Sequence, residues 1–221
     1  RYFEQETFEA RKGEIQLERL RMIAERATNS EHVSVQTLNP AKLDQYAADF
    51  VTIYNRAWEN FKDFKPLSRE EVKALFKQVK PILEKDFLIF IYMNGHPAGV
   101  VFMLPDVNQI FQYFNGKMGL WEQLKFLWYR QRKVINKLKG VVLGIHPDFQ
   151  NKGVDALLIY NLLLQVEQNG QYHYAELSWI GDFNPKMKAT MRKLNAKRSK
   201  LHLTYRKLFD EHLTFEPYRI N

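Results

Sequence analysis

Along this chain the spacing of apolar residues switches between two, three-and-four, and none at all, and each switch marks the edge of an element. Val33-Ser34-Val35-Gln36-Thr37-Leu38 alternates and predicts a first strand. Asn39-Pro40 then opens a helix in which Leu43, Tyr46, Ala47, Phe50, Tyr54, Ala57, Trp58 and Phe61 hold helical spacing. Ser68 and Glu71 form a capping box for a second helix, with Val72, Leu75, Phe76 and Val79 as its core stripe and an end near Pro81. Phe87 to Met93 and Ala98 to Leu104 are β-rich runs on either side of Asn94-Gly95, a pair that supplies the positive φ angles of a tight hairpin. They predict adjacent antiparallel strands.

From Lys139 to Asn169 the pattern is densest. Val141-Val142-Leu143-Gly144-Ile145 is an unbroken apolar run closed by Pro147-Asp148, which predicts a central strand buried on both faces. After the polar turn Gln150-Asn151-Lys152-Gly153, apolar residues resume at Ala156, Leu157, Leu158, Ile159, Leu162, Leu163, Leu164 and Val166. They cover too much of the circumference for a surface helix, so this helix is expected to be buried too. Asn169-Gly170 ends it, and Tyr172 to Trp179 predicts another strand. Asn184-Pro185 caps a short helix with Met187, Met191 and Leu194 on one face, and Leu201, Leu203 and Tyr205 alternate as a last strand.

Two stretches fit less simply. Residues 1–31 are polar and helix-favouring, with Phe8, Ile15, Leu17, Leu20 and Ile23 only loosely periodic. They predict a leader helix packed on the domain or on a missing upstream part, so that 1–32 is a helical leader or the remnant of an upstream region and 33–221 the domain proper. Residues 106–138 read as a helical insertion carrying Phe111, Tyr113, Phe114, Trp121, Phe126, Trp128 and Tyr129. Two readings stay open for these aromatics: packing of the insertion onto the sheet edge, or a lid over an acceptor pocket.

A strand that turns through a glycine into a helix aims backbone N–H groups and the positive end of the helix dipole at one point, where an anion can bind. The turn Gln150-Asn151-Lys152-Gly153-Val154-Asp155, preceded by Ile145-His146-Pro147, resembles the acyl-CoA pyrophosphate loop Q/R-x-x-G-x-G/A of the GCN5-related N-acetyltransferases. The order of elements agrees over residues 33–208. Glu176-Leu177-Ser178-Trp179-Ile180 through Asn184-Pro185-Lys186-Met187 to Leu194-Asn195 is similar to that family's second cofactor region. With Ala57-Trp58-Glu59-Asn60 and Leu104-Pro105-Asp106, the chain looks most like a bacterial acetyltransferase-like subfamily.

The resemblance implies an α/β fold: a mixed, mostly antiparallel sheet with helices on both faces, in which the strand ending at Ile145 parts from the strand beginning near Tyr172. It implies acyl transfer from acetyl-CoA or another acyl-CoA to an amine by direct attack. The pyrophosphate would lie on Gln150, Asn151, Lys152, Gly153, Val154, Asp155 and Ala156. The pantetheine would align on Leu143 and Ile145, and Asn184 would reach the cofactor from the second region.

The chain also departs from the family pattern. Asp155 stands where Gly or Ala is usual, Met191 where many members carry the tyrosine that protonates the thiolate, Asn195 where a glycine ends the motif, and Lys139 near the place of an early glutamate base. Glu176 is the nearest acidic candidate for catalysis, and a salt-bridged glutamate is the competing reading of it. The alternative function is a non-catalytic protein of this fold that binds a ligand or partner.

Composition narrows these choices. The chain has 221 residues and no cysteine, which excludes disulfides, thiolate–zinc sites and thiol nucleophiles. The six histidines form no H-x-x-x-H pair, and no metal is expected. No apolar run approaches membrane-spanning length, so a cytoplasmic protein without a membrane partner is expected. The net charge of +8 favours polyanions in general. Lys186, Lys188, Arg192, Lys193, Lys197, Arg198 and Lys200 suggest a nucleic-acid surface as a third reading, though no aromatic–basic signature accompanies them. The chain begins at Arg1, so an upstream domain stays open, as does a homodimer. The acceptor is a small-molecule or protein amine.

Overall fold

The computed structural model describes residues 3–15, 17–30, 32–61, 64–210 and 212–216. In chain order the strands and helices are β1 (Phe3–Arg11), α1 (Leu17–Ser30), β2 (Val33–Thr37), α2 (Leu43–Trp58), α3 (Arg69–Val79), β3 (Leu88–Met93), β4 (His96–Pro105), α4 (Asn108–Phe111), α5 (Leu120–Gln131), β5 (Lys137–Ile145), α6 (Val154–Asn169), β6 (Tyr174–Gly181), α7 (Pro185–Lys193) and β7 (Lys197–Thr204). The strands make one seven-stranded sheet in the order β2-β3-β4-β5-β6-β1-β7. Every neighbouring pair is antiparallel except β5 with β6.

Local chemistry sets the elements that place the site. Asn94 and Gly95 take φ angles of 51° and 80°, so the β3–β4 hairpin closes in a two-residue loop with Met93 opposite His96. The Ser68 hydroxyl accepts from the Glu71 N–H while the Glu71 carboxylate accepts from the Ser68 N–H, which fixes the start of α3. Asn39 caps a 3-10 turn at Pro40–Lys42, and α2 follows directly.

Helices cover both faces. α2 and α3 bury Tyr46, Phe50, Ile53, Val72 and Phe76 against Leu88, Phe90, Val100 and Phe102 of the central hairpin. On the opposite face α1 and α6 bury Ala24, Ala27, Val154, Leu157 and Leu158 against Ile89, Ile91, Met93 and Val101. A third cluster joins α7 to the far strands through Phe8, Ile180, Met191 and Leu194. Each of these large side chains contributes about 1.5–3 kcal/mol by leaving water, so the hairpin core and α6 are the rigid frame.

The amino-terminal segment corrects the expected leader helix. Residues 17–30 are helical, but Phe3–Arg11 is a strand inserted between β6 and β7. It stays there because Phe8 and Ala10 join the α7 core while Glu9 and Glu6 meet lysines of β5 and α7. Glu9 accepts from Lys137, and Glu6 lies 2.9 Å from the Lys188 ammonium. The last strand also lies earlier than its alternation predicts, ending at Thr204 before Tyr205 and Arg206.

The insertion holds α4 and α5. Ile110 and Phe114 are buried and Phe126 and Tyr129 pack against the core, but Phe111, Tyr113, Trp121 and Trp128 are exposed. Packing onto the sheet therefore accounts for only part of its aromatic content.

Candidate functional site

β5 and β6 share only three rungs: Lys137 with Tyr174, Leu138 with Ala175, and Lys139 with Glu176. Beyond them β6 follows β1 instead, to the pairing of Gly181 with Gln5, and a wedge opens between β5 and β6. Charge holds the strands together at its apex. The buried Glu176 carboxylate lies 2.8 Å from the Lys200 ammonium and 3.3 Å from that of Lys139. Burial pushes the Glu176 carboxyl up, but these two cations outweigh it and hold the group below the ordinary glutamate range. Glu176 is thus a weak base already committed to two ammonium groups.

The wedge is a cleft of about 320 Å³ that passes through the sheet, since residues from both faces line it. Val141, Val142 and Leu143 of β5 form one wall and Leu177 to Gly181 of β6 the other. Trp58 and Phe61, at the end of α2, line it on one face; Ile159, Leu162 and Leu163 of α6 and Met187 and Met191 of α7 line it on the other. Among the described lining residues none is an acid, a base or a phenol, and Ser178 and Asn184 are the polar ones.

This explains a difference from the sequence reading. The run from Val141 to Ile145 is central in the sheet but not buried on both faces, and Val141 is 45% exposed. Val141, Val142 and Leu143 are apolar because they line the cleft, and Ile145 because it packs against the core.

Backbone direction follows from the β4–β5 ladder. The His146 N–H donates to the Ala98 carbonyl at 2.9 Å, and His146 continues a register in which Gly144 faces Val100 and Val142 faces Phe102. Amide direction alternates along a strand, so Gly144 and Val142 exchange hydrogen bonds with β4. The N–H and C=O of Leu143 and Ile145 point to the edge that β6 has left. Gly144 has a second role. A Cβ there would lie 2.7 Å from the Trp58 ring, so the glycine lets the indole, stacked on Tyr54 at 4.7 Å, rest over the strand.

Beyond β5 the chain makes a 3-10 turn at Pro147–Phe149, which His146 caps by accepting from the Asp148 N–H. It then turns into α6 with Asn151 at φ 63° and Gly153 at φ 80°. Gly153 is the cap residue, and no described side chain caps the first turn. Gln150, Asn151, Lys152 and Asp155 are exposed, whereas Val154 and Ala156 point into the core. The Lys152 ammonium lies 5.4 Å from the Phe149 ring centroid.

Gly153 itself faces α1. A Cβ there would approach Ala27 Cβ at 3.0 Å and Ile23 at 3.8 Å, so the packing of α1 on α6 restricts this position, along with its positive φ.

Of the residues selected from sequence, Leu143 and Asn184 line the cleft, and Glu176 sits at its apex. Ile145 and the 150–156 turn follow along the same strand and lie outside the lining. The Asn184 side chain accepts from the Met187 N–H at 3.1 Å as the cap of α7. Trp58, Phe61, Trp179 and Phe183 line the cleft without having been selected. Both tryptophans carried a signal: Trp58 at the end of an amphipathic stripe, and Trp179 inside the segment that resembles the second cofactor region.

The basic cluster of residues 186–200 is partly neutralised in place: Lys188 by Glu6, Lys197 by Glu14 and Lys200 by Glu176. Among the described residues no three His, Asp or Glu side chains converge as metal ligands, and no helix is long and apolar enough to cross a membrane. A second cavity of about 450 Å³ lies between α5 and the start of β6, where the Tyr172 hydroxyl donates to Glu84.

No family model matches the chain. It is 24% identical over 178 residues to the bacterial ceramide synthase of Caulobacter vibrioides, covering 79% of this chain and 46% of that protein. It is 20% identical to protein YghO of Escherichia coli, with the same coverage. The chain thus spans about half the length of the curated relatives it matches. A GCN5-related N-acetyltransferase from Sphaerobacter thermophilus superposes on 90% of this chain and 50% of its own, with a TM-score of 0.53 at 10% identity. A seven-stranded mixed sheet with one parting parallel pair, helices on both faces and this neighbour together establish that the chain has the fold of the GCN5-related N-acetyltransferases.

Proposed function

We propose that the chain is an acyl-CoA-dependent N-acyltransferase whose thioester enters the wedge between β5 and β6. The observation that carries this reading is the open backbone edge of Leu143 and Ile145, which runs toward the uncapped start of α6. Strand-edge groups would pair with the pantetheine amides, one N–H would polarise the thioester carbonyl, and the N–H groups of the first turn of α6 would hold the pyrophosphate.

The chemistry is direct transfer. The neutral amine attacks the thioester carbon, the C–N bond forms, the C–S bond breaks, and the thiolate leaves. The proton lost by nitrogen passes to water and finally to sulfur. The apolar lining offers no side chain for these transfers, so rate enhancement rests on positioning and on the oriented N–H groups. Water in the cleft, where Ser178 offers a hydrogen-bonding hydroxyl, would carry the proton.

The lining also bears on the substrates. A ceramide is a long-chain amine acylated on nitrogen, so the name of the Caulobacter relative describes the same bond-forming step with lipid partners. An apolar cleft with Trp58, Phe61 and Trp179 at its walls suits an acyl chain or a long-chain amine better than a polar acceptor.

The test is a thiol-release assay with acetyl-CoA and a long-chain acyl-CoA, each offered a short polar amine and a long-chain amine. Amine-dependent release, larger with a lipid partner, is expected. Tight CoA binding without release would favour the non-catalytic reading. That reading has two observations in its favour: the tyrosine position of the family holds the buried Met191, and the exposed Asp155 stands where Gly or Ala is usual.

A further inference from the structure

Helix α5 has two apolar faces. Its inner side sets Phe126 and Tyr129 against the core. At 3.6 residues per turn, Leu120, Trp121, Leu124, Leu127 and Trp128 fall in an outer arc of about 120° on the opposite side. All five are exposed, from 51% at Trp128 to 81% at Leu120, and Met118 just before the helix is 59% exposed. Single exposed apolar residues are ordinary; a continuous stripe with two tryptophans is not.

Charge says what such a stripe would meet. Lys117, Lys125, Arg130, Arg132 and Lys133 surround it, and between residues 107 and 134 the one acid is Glu122. That carboxylate is turned to the helix start, accepting from the Gly119 N–H at 3.0 Å. Arg132 lies over the Trp128 ring at 5.1 Å, which joins the basic flank to the apolar stripe. On the wheel Lys125 and Arg132 border one side of the arc; Arg130 lies on the other, with its guanidinium donating to the Pro81 carbonyl. Long basic side chains beside Trp and Leu are what an interfacial helix needs: stems that reach along the apolar layer, and heads that pair with anionic phosphates.

We propose that the outer face of α5 docks the protein on an anionic lipid bilayer, with the helix lying in the surface. This requires no spanning segment. It revises the expectation of no membrane partner, which rested on spanning length alone. The proposal is independent of the reaction assigned to the cleft.

The test is co-sedimentation of the purified protein with phosphatidylglycerol-containing vesicles and with pure phosphatidylcholine vesicles, at low and high salt. Tryptophan quenching by bromolipid reports insertion. Binding to the anionic vesicles, weakened by salt, is expected. It should fall by more than about tenfold in Leu124→Glu/Leu127→Glu, whose replaced side chains are exposed, so melting and circular dichroism should be unchanged. Lys125→Glu/Arg132→Glu should weaken binding at low salt and leave the residual binding at high salt.

Equal binding by wild type and Leu124→Glu/Leu127→Glu would overturn the proposal, as would wild-type protein that ignores vesicles of either kind. If the protein ignores vesicles but self-associates through Leu124 and Leu127, the face belongs to a second copy. If it ignores vesicles and stays monomeric, the face is covered by another protein surface.

Discussion

Lys139 and Glu176 face each other across the last rung that β5 and β6 share, with Nζ 3.3 Å from Oε1, and the cleft begins immediately beyond them. The pair acts as a hinge pin. On one side of it the two strands form an ordinary parallel ladder; on the other, β6 pairs only with β1, and the inner edge of β5 is free. Lys200 completes the clamp from β7.

Glu176→Gln should therefore destabilise the protein more than an exposed charge substitution does. It leaves the Lys200 ammonium without its anion and Lys139 with only the Asp106 carboxylate, 3.9 Å away. Both lysines retain some water contact, so the expected loss is about 1–2 kcal/mol. Acid sensitivity should change with it. The folded-state pKa of Glu176 lies below the ordinary value, so on acidification the unfolded chain takes up the proton first. The stabilisation is complete above about pH 4.3 and is lost as the pH falls through that value toward the folded-state one. Thermal melts at neutral and acidic pH should show a smaller acid-induced drop in the variant; an equal drop would mean the clamp does not contribute.

Asp155 is exposed on the first turn of α6. Its carboxylate favours the helix dipole and opposes a phosphate bound at the same end. Asp155→Ala should cost the free protein about 0.5 kcal/mol and tighten CoA several-fold, since like-charge repulsion near the surface is worth on the order of 1 kcal/mol. The gain should grow at low salt. Weaker CoA binding in the variant would show that the side chain organises the turn.

Gly153 tests the packing of α1. Gly153→Ala places a Cβ 3.0 Å from that of Ala27, a tight contact, and asks an L residue to hold a φ of 80°. Denaturant unfolding should show a loss of about 1–2 kcal/mol. Adding Ala27→Gly should recover the contact part but not the backbone part. Full recovery in the double variant would show that the φ angle carries no cost here.

Much of this fold is legible in the sequence because its elements obey one period at a time. The hairpin announces itself at Asn94-Gly95, α3 at Ser68 and Glu71, and α7 at Asn184-Pro185. β1 hides for the opposite reason. Its register shifts between Thr7 and Phe8 against β7, and between Glu6 and Phe8 against β6, so the alternation is broken in the middle. Its many glutamates read as helical until Lys137 and Lys188 supply their partners from distant elements.

The site divides in the same way. The strand–turn–helix around Gly153 follows from local pattern. The apolar run of β5 cannot reveal whether its neighbour stays or leaves, because a buried wall and a cleft wall demand the same side chains. Trp179 and Phe183 reach the cleft only through the course of β6, which pairing with the unpredicted β1 sets.

Whether the thioester binds in the wedge is read most directly by calorimetric titration of acetyl-CoA into wild type and Val141→Trp. Val141 lines the cleft and is half exposed, so a tryptophan there fills the wedge without entering the core. The predicted result is saturable binding to wild type, weakened by more than about tenfold in the variant, a difference above about 1.4 kcal/mol, with melting temperature unchanged. Equal affinity in the two proteins, or no binding to wild type, would contradict it.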